Sequence, residues 1–153
     1  MTTTLEIQLI DQDFREAIAR LQVAAADLSP LMAQIAAHLE AVAQRAFENE
    51  SDPNTGGKWA ALSPRYLARR QRMGRWPGKI LQLTGEMAAS LVSESDADSA
   101  LVAIGTSYAK YHQFGTSRMP ARPFLGLDEQ GEQDIRQATL DYLRAAIEDN
   151  EAG

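Results

Sequence analysis

At 153 residues and a formal net charge of −6, the chain has room for one domain with a real core, but not for an enzyme domain plus a separate binding domain. It contains no cysteine, which excludes disulfides, thiol nucleophiles and the cysteine-based zinc and iron–sulfur ligand sets, and suits a reducing cytoplasm. No window approaches the roughly 18 continuous apolar residues of a membrane span, and no basic stretch leads into an apolar run at the start, so an unexported protein without a membrane partner is expected.

The opening TLEIQLI alternates Leu5, Ile7 and Leu9 with polar neighbours, the period of a half-buried strand. A first helix follows over 14–27, with Asp13 and Glu16 as a capping box and Phe14, Ile18, Leu21 and Ala25 on its inner face. A second starts at Ser29 as cap and Pro30 as first helical residue. Its stripe of Leu31, Ile35, Leu39, Val42 and Ala46 carries it to about Phe47.

For nearly thirty residues after that, turn formers and bases dominate. From Lys58 to Lys79 there are seven bases and no acid, so this segment is +7 and the rest of the chain −13. Ser63 and Pro64 can open a turn or two of helix there, but the segment has few large apolar anchors against the entropy of ordering it. Residues 51–79 therefore read as a long, mobile, basic loop that orders on assembly. LTGEMAASL restores helical spacing, with Thr84 as cap and Leu83, Met87 and Leu91 inward. Two short β runs then flank Asp96–Ser99, a hairpin turn. Asp128 caps a last helix whose face is Ile135, Thr139, Tyr142, Leu143 and Ile147, with Glu129, Glu132 and Asp134 at its positive end.

Catalytic sets are missing. His112 has no nucleophile elbow beside it, and with His38 and carboxylates it forms no recognisable metal spacing. It reads as a structural histidine bonded to backbone near Gly115, with catalysis or metal binding as the alternative. Asp96 and Asp98 stand where a turn wants Asp, and TGGKW lacks the first glycine and the Ser or Thr of a phosphate-binding loop. No cofactor is expected. The best functional lead is the basic segment, where Lys58, Arg65, Arg69, Arg70, Arg72 and Arg75 are interleaved with Trp59, Leu62, Tyr66 and Trp76. That mix can dock on an acidic partner, or meet phosphates and stack on bases.

The order of GGKWAALSPRY, LTGEMAASL, YAKYHQFGT and MPARPFLGL along most of the chain resembles the phage virion morphogenesis or tail completion family of Mu-like phages and prophages. Tyr108, His112, Gln113, Phe114 and Gly115 match its Tyr-Ala-x-x-His-Gln-Phe-Gly block, and Pro120 to Leu125, including Arg122, Pro123 and Phe124, match Pro-Ala-Arg-Pro-Phe-Leu. Thr116 stands where many relatives have a second glycine. The resemblance implies a single non-enzymatic structural domain over 1–153, found in the virion at the neck or tail after assembly in the bacterial cytoplasm. It implies tail completion and head–tail joining as the role, other neck or tail proteins as partners, and a homo-oligomer such as a ring. A nucleic-acid-binding protein using Lys58–Lys79, in passing contact with DNA, is the alternative.

The expected architecture is α+β: a small, mostly antiparallel sheet from the N-terminal strand, the hairpin and the Arg122–Leu125 edge, packed against the second and last helices. In the corner between them, a helical turn over Tyr108–Gln113 precedes a reversal at Gly115, and Phe114, Phe124 and Leu125 lock it into the core.

Overall fold

The computed structural model describes residues 12–148, so the strand expected at Leu5–Leu9 lies outside the described residues. Among the described residues the order is α1 (Gln12–Ala26), α2 (Ser29–Asn49), α3 (Pro64–Arg72), α4 (Glu86–Ala89), β1 (Leu91–Ser95), β2 (Ala100–Ile104), α5 (Ala109–Phe114) and α6 (Glu129–Glu148). A small antiparallel sheet with long helices makes this an α+β fold, as the sequence led one to expect.

α2 is the axis. Its apolar stripe buries Leu31, Ala36, Val42, Ala43, Ala46 and Phe47, and both the hairpin and α6 pack on it. The N-terminal cap differs from the expected one. Ser29 is already helical, and the carboxylate two residues earlier takes its place: Asp27 Oδ1 accepts from Ser29 N at 3.0 Å and Ser29 Oγ at 2.6 Å. A charged acceptor at the positive end of a helix outcompetes a hydroxyl. At the other end Glu50 turns left-handed (φ 53°), its N–H bonding to Ala46 O.

α1 starts no later than Gln12, so Asp13 lies within its first turn rather than before it. Its expected inner face is corrected too: no α1 residue is fully buried, and Phe14 and Ile18 are exposed. The helix lies along α6 instead of entering the core. Tyr142 on α6 ties it down, its hydroxyl donating to Asp27 O at 2.7 Å.

β1 and β2 pair from Leu91↔Ile104 to Ser95↔Ala100, with the turn at Asp96–Ser99 as expected. Asp96 Oδ1 accepts from Asp98 N and Ser99 N, bonds that hold its carboxyl below the usual range. Ser93 Oγ donates to Glu40 Oε2, fastening the sheet to α2. α4 is shorter than the spacing of LTGEMAASL suggests, because Leu91 leaves the helix for β1. Thr84 Oγ1 does accept from Glu86 N, while left-handed Gly85 is the residue at the cap position.

α6 begins where Asp128 meets two partners. Its Oδ1 accepts from Gly131 N at 2.7 Å, the expected cap, and the carboxylate receives Arg45 Nε and Nη2 at 2.9 and 2.7 Å. α6 comes so close to α2 here that a Cβ on Gly131 would collide with Val42 Cγ2. Asp128→Asn keeps a capping oxygen but loses the charge that faces Arg45 and the positive end of α6, and should cost about 1 kcal/mol. The Arg45 hydrogen bond, above all, holds the Asp128 carboxyl below its ordinary value. A depressed carboxyl contributes stability that is present above about pH 4 and lost as pH falls through the lower folded value. Urea melts taken downward from neutral pH should therefore fall less steeply for Asp128→Asn; an equal slope would rule this account out.

Candidate functional site

The block YHQFGTSRMPARPFLG builds a corner by a route other than an edge strand. Gly115 has φ +72°, and a Cβ there would lie 2.7 Å from Ala121 N, so both the turn and the close approach require glycine. The chain then reverses through the Thr116↔Met119 bridge and runs back beside α5. The 122–125 run belongs to no strand of the described residues and bends at Leu125, which corrects the sheet expected there. Its amides are met by a side chain. Gln113 Oε1 accepts from Phe124 N and Leu125 N, both at 3.0 Å, and Gln113 Nε2 donates to Leu125 O. With Arg122 N donating to His112 O at 2.7 Å, one glutamine does the work of a neighbouring strand.

Phe124 is 1% exposed and stacks on Phe47 with centroids 5.2 Å apart. Phe114, expected beside it, is 80% exposed, and Tyr111 also faces solvent. The reason is helical phase: α5 turns Ala109 and Gln113 inward, which points Tyr111 and Phe114 out.

His112 is half-buried on this corner. The expected bond from its ring to backbone is not made: Nδ1 is buried without a hydrogen-bond partner. Burial, and then the nearby Arg122 charge, lowers its pKa below the ordinary histidine value. The ring is neutral at neutral pH, edge-on to Tyr108. No group of three metal-binding side chains occurs among the described residues.

The basic segment is anchored, contrary to the expectation of a loop short of anchors. Residues 51–58 close on themselves through the Ser51↔Lys58 bridge and return Trp59 to the core, where it is 6% exposed and edge-on to Phe47. Trp59 Nε1 donates to Pro123 O at 2.7 Å, joining the segment to the corner. Ser63 caps α3 as expected, accepting from Tyr66 N, with Pro64 in the first turn. Arg70 is 2% exposed, its guanidinium near the faces of Trp76 and Tyr66 at 5.4 and 6.0 Å from their centroids, and both Nη atoms donate to Lys79 O. Arg122 is 5% exposed and bridges back, Nε to Ala60 O at 2.8 Å and Nη2 to Ala61 O at 3.0 Å.

Of the expected contact residues, Trp59 and Arg70 are thus internal and unavailable to a partner of the folded chain. Lys58 and Lys79 donate to Asn49 O and Glu48 O, so both sit at the negative end of α2. Arg75 donates to Leu83 O. Arg65, Arg69 and Arg72 stay exposed on α3, and Leu62, Tyr66 and Trp76 are half-buried. A nucleic-acid reading therefore loses its stacking Trp59 and one of its arginines. Sequence reasoning missed that Arg70 and Arg122 are internal, because their partners are backbone carbonyls, which carry no residue signature.

Between α3, α4 and α5 the segment and the corner line a half-open cavity of about 640 Å³. Leu62, Leu83, Met87 and Met119 make its apolar walls, with Arg70, Arg118 and Arg122 on its lining. None of the described helices is long and apolar enough to cross a membrane.

The distinctive residues of this small α+β fold build a hydrogen-bonded corner, an exposed aromatic pair and a cationic cavity. The chain belongs to the phage virion morphogenesis family, whose model matches residues 9–144. It is 35% identical over 152 residues to the putative capsid assembly protein G of Escherichia phage Mu, covering 90% of this chain and 97% of that one. Two Mu-like prophage proteins of Haemophilus influenzae are also similar. FluMu G protein 2 is 33% identical, with 94% of this chain and 99% of its own covered. FluMu G protein 1 is 39% identical over 105 residues, covering 67% of this chain and 70% of its own. No solved structure matches the chain.

Proposed function

We propose that the protein is a non-enzymatic structural part of the virion, assembled in the bacterial cytoplasm, that acts at the neck or head-proximal end of the tail in tail completion and head–tail joining. Its partners are other neck or tail proteins and further copies of itself. The observation that carries this reading is the outward face of the signature corner. Tyr111 and Phe114 stand exposed on a short helix whose inner face is fixed by Gln113, Arg122 and Phe124. Aromatic side chains have few rotamers to lose on docking and are typical anchors of protein interfaces. Membership of a virion morphogenesis family supports the same class of role.

Deleting the gene from an inducible prophage tests it. The expected lysate contains filled heads and separate tails by electron microscopy, and Phe114→Ser in the restored gene should reproduce the defect while the purified variant melts as the wild type does. Joined, infectious particles from the deletion would refute any essential role. Absence of filled heads would refute placement at the neck and move the step to the capsid.

A further inference from the structure

The cavity lining holds more positive charge than its surroundings neutralise. Arg70 and Arg122 are each more than nine-tenths buried, yet neither lies within ion-pair distance of a carboxylate among the described residues. Their side-chain bonds run only to carbonyls, and Arg70 also lies near the faces of Trp76 and Tyr66. Arg118, exposed, adds a third cation to the same lining, and Glu86 is the one carboxylate on it. Buried charge without a counter-ion is costly, so this site favours an anionic occupant. Its apolar walls ask for an aliphatic side chain beside that anion.

The same chain presents such a group. From Met87 to Ala109 the sequence has three carboxylates and no base. The hairpin formed there places Glu94 opposite Leu101, with Val92 two residues along on the same face. Val92 and Leu101 are 47% and 45% exposed, and Glu94 and Asp98 are exposed and in no ion pair of the described residues. Asp96 is occupied in holding the turn.

We propose that the β1–β2 hairpin of one copy docks into the cationic cavity of a second copy. Leu101 and Val92 cover the apolar mouth, while Glu94 and Asp98 meet the positive lining at Arg118. The two patches differ, so a single contact leaves one hairpin and one cavity free; they close as a two-fold pair where they meet each other, and otherwise continue head-to-tail into a ring or a filament. This rests on the assembly reading above and names the surfaces that self-association uses.

The test is the mass of the purified full chain by sedimentation velocity, over a range of protein and salt concentration. Oligomers at low salt that dissociate as salt rises are expected. Glu94→Lys with Asp98→Lys, or Arg118→Glu alone, should each weaken association by at least ~10-fold, since like charges brought face to face cost several kcal/mol. All three side chains are exposed, so unchanged thermal melts serve as the folding control. Combining the three changes in one chain reverses both partners and should recover association relative to either parent. A wild type that is monomeric under all conditions overturns the proposal, as does wild-type association by the reversed variants or a combined chain no better than its parents. Such a failure leaves the joining defect of the deletion untouched, so the two readings can fail separately.

Discussion

Phe124→Ala is expected to destabilise the protein by about 3–5 kcal/mol, the usual cost of emptying a buried aromatic site. Phe124 is among the most completely buried large side chains, lying on Phe47 of α2, which in turn meets Trp59. Removing it hollows the junction of three segments far apart in sequence: the end of α2, the return of the basic segment and the signature corner. Nothing nearby can collapse easily, because Gln113 fixes the backbone on both sides of the peptide between Phe124 and Leu125. Domains of this size are stable by only about 5–15 kcal/mol, so the variant should lose a large share of its urea midpoint. A loss below about 1 kcal/mol would place Phe124 outside the core and remove the physical account of the corner. Phe114→Ala, four-fifths exposed, should change stability by no more than about 0.5 kcal/mol.

The contrast between these two phenylalanines shows what was legible in the sequence. α2, the hairpin and α6 follow from period, proline position and the Asp96 and Asp128 signals, because each is decided by neighbours a few residues apart. Phe114 and Phe124 sit in one motif with equal hydrophobicity, and only the phase of a six-residue helix sends one outward. The burial of Trp59 is hidden from the sequence in the same way, since it depends on a turn at 51–58 that aims the ring at Phe47. Charge misled most. Seven bases without an acid suggest a solvated, mobile stretch, yet Lys58, Lys79, Arg70 and Arg75 are each bonded to backbone carbonyls. The family is legible in the sequence, because the resemblance rests on residues whose order is visible whatever their environment.

The hydrogen-bonded fork of Arg122 is expected to decide whether the segment and the corner stay together. Arg122→Met keeps much of the side chain's bulk but abandons the part-buried bonds to the carbonyls of Ala60 and Ala61, and each bond to a charged donor contributes about 1.5–3 kcal/mol. A loss of about 3–4 kcal/mol is expected. Arg122→Lys keeps the charge without the planar fork and should lose less, about 1.5–3 kcal/mol. His112 separates the two effects. Its pKa is lowered mainly by burial and further by the Arg122 charge, so the Met variant should raise it part of the way and the Lys variant should leave it low. A histidine depressed in the folded state binds fewer protons than in the unfolded chain, so its stabilising effect is complete above about pH 6.5 and is lost as pH falls toward the folded value. Titration of the His112 ring by NMR and urea melts from pH 8 downward would read both effects. Hydrogen exchange would locate them: in the wild-type monomer the amides of Trp59 and of α3 from Leu67 onward, which are bonded to backbone carbonyls, should be protected, and in Arg122→Met they should open before α2 does. Rapid exchange of those amides in the wild type would return the segment to the mobile loop that its composition suggests, and Arg122 would then have no structural role to lose.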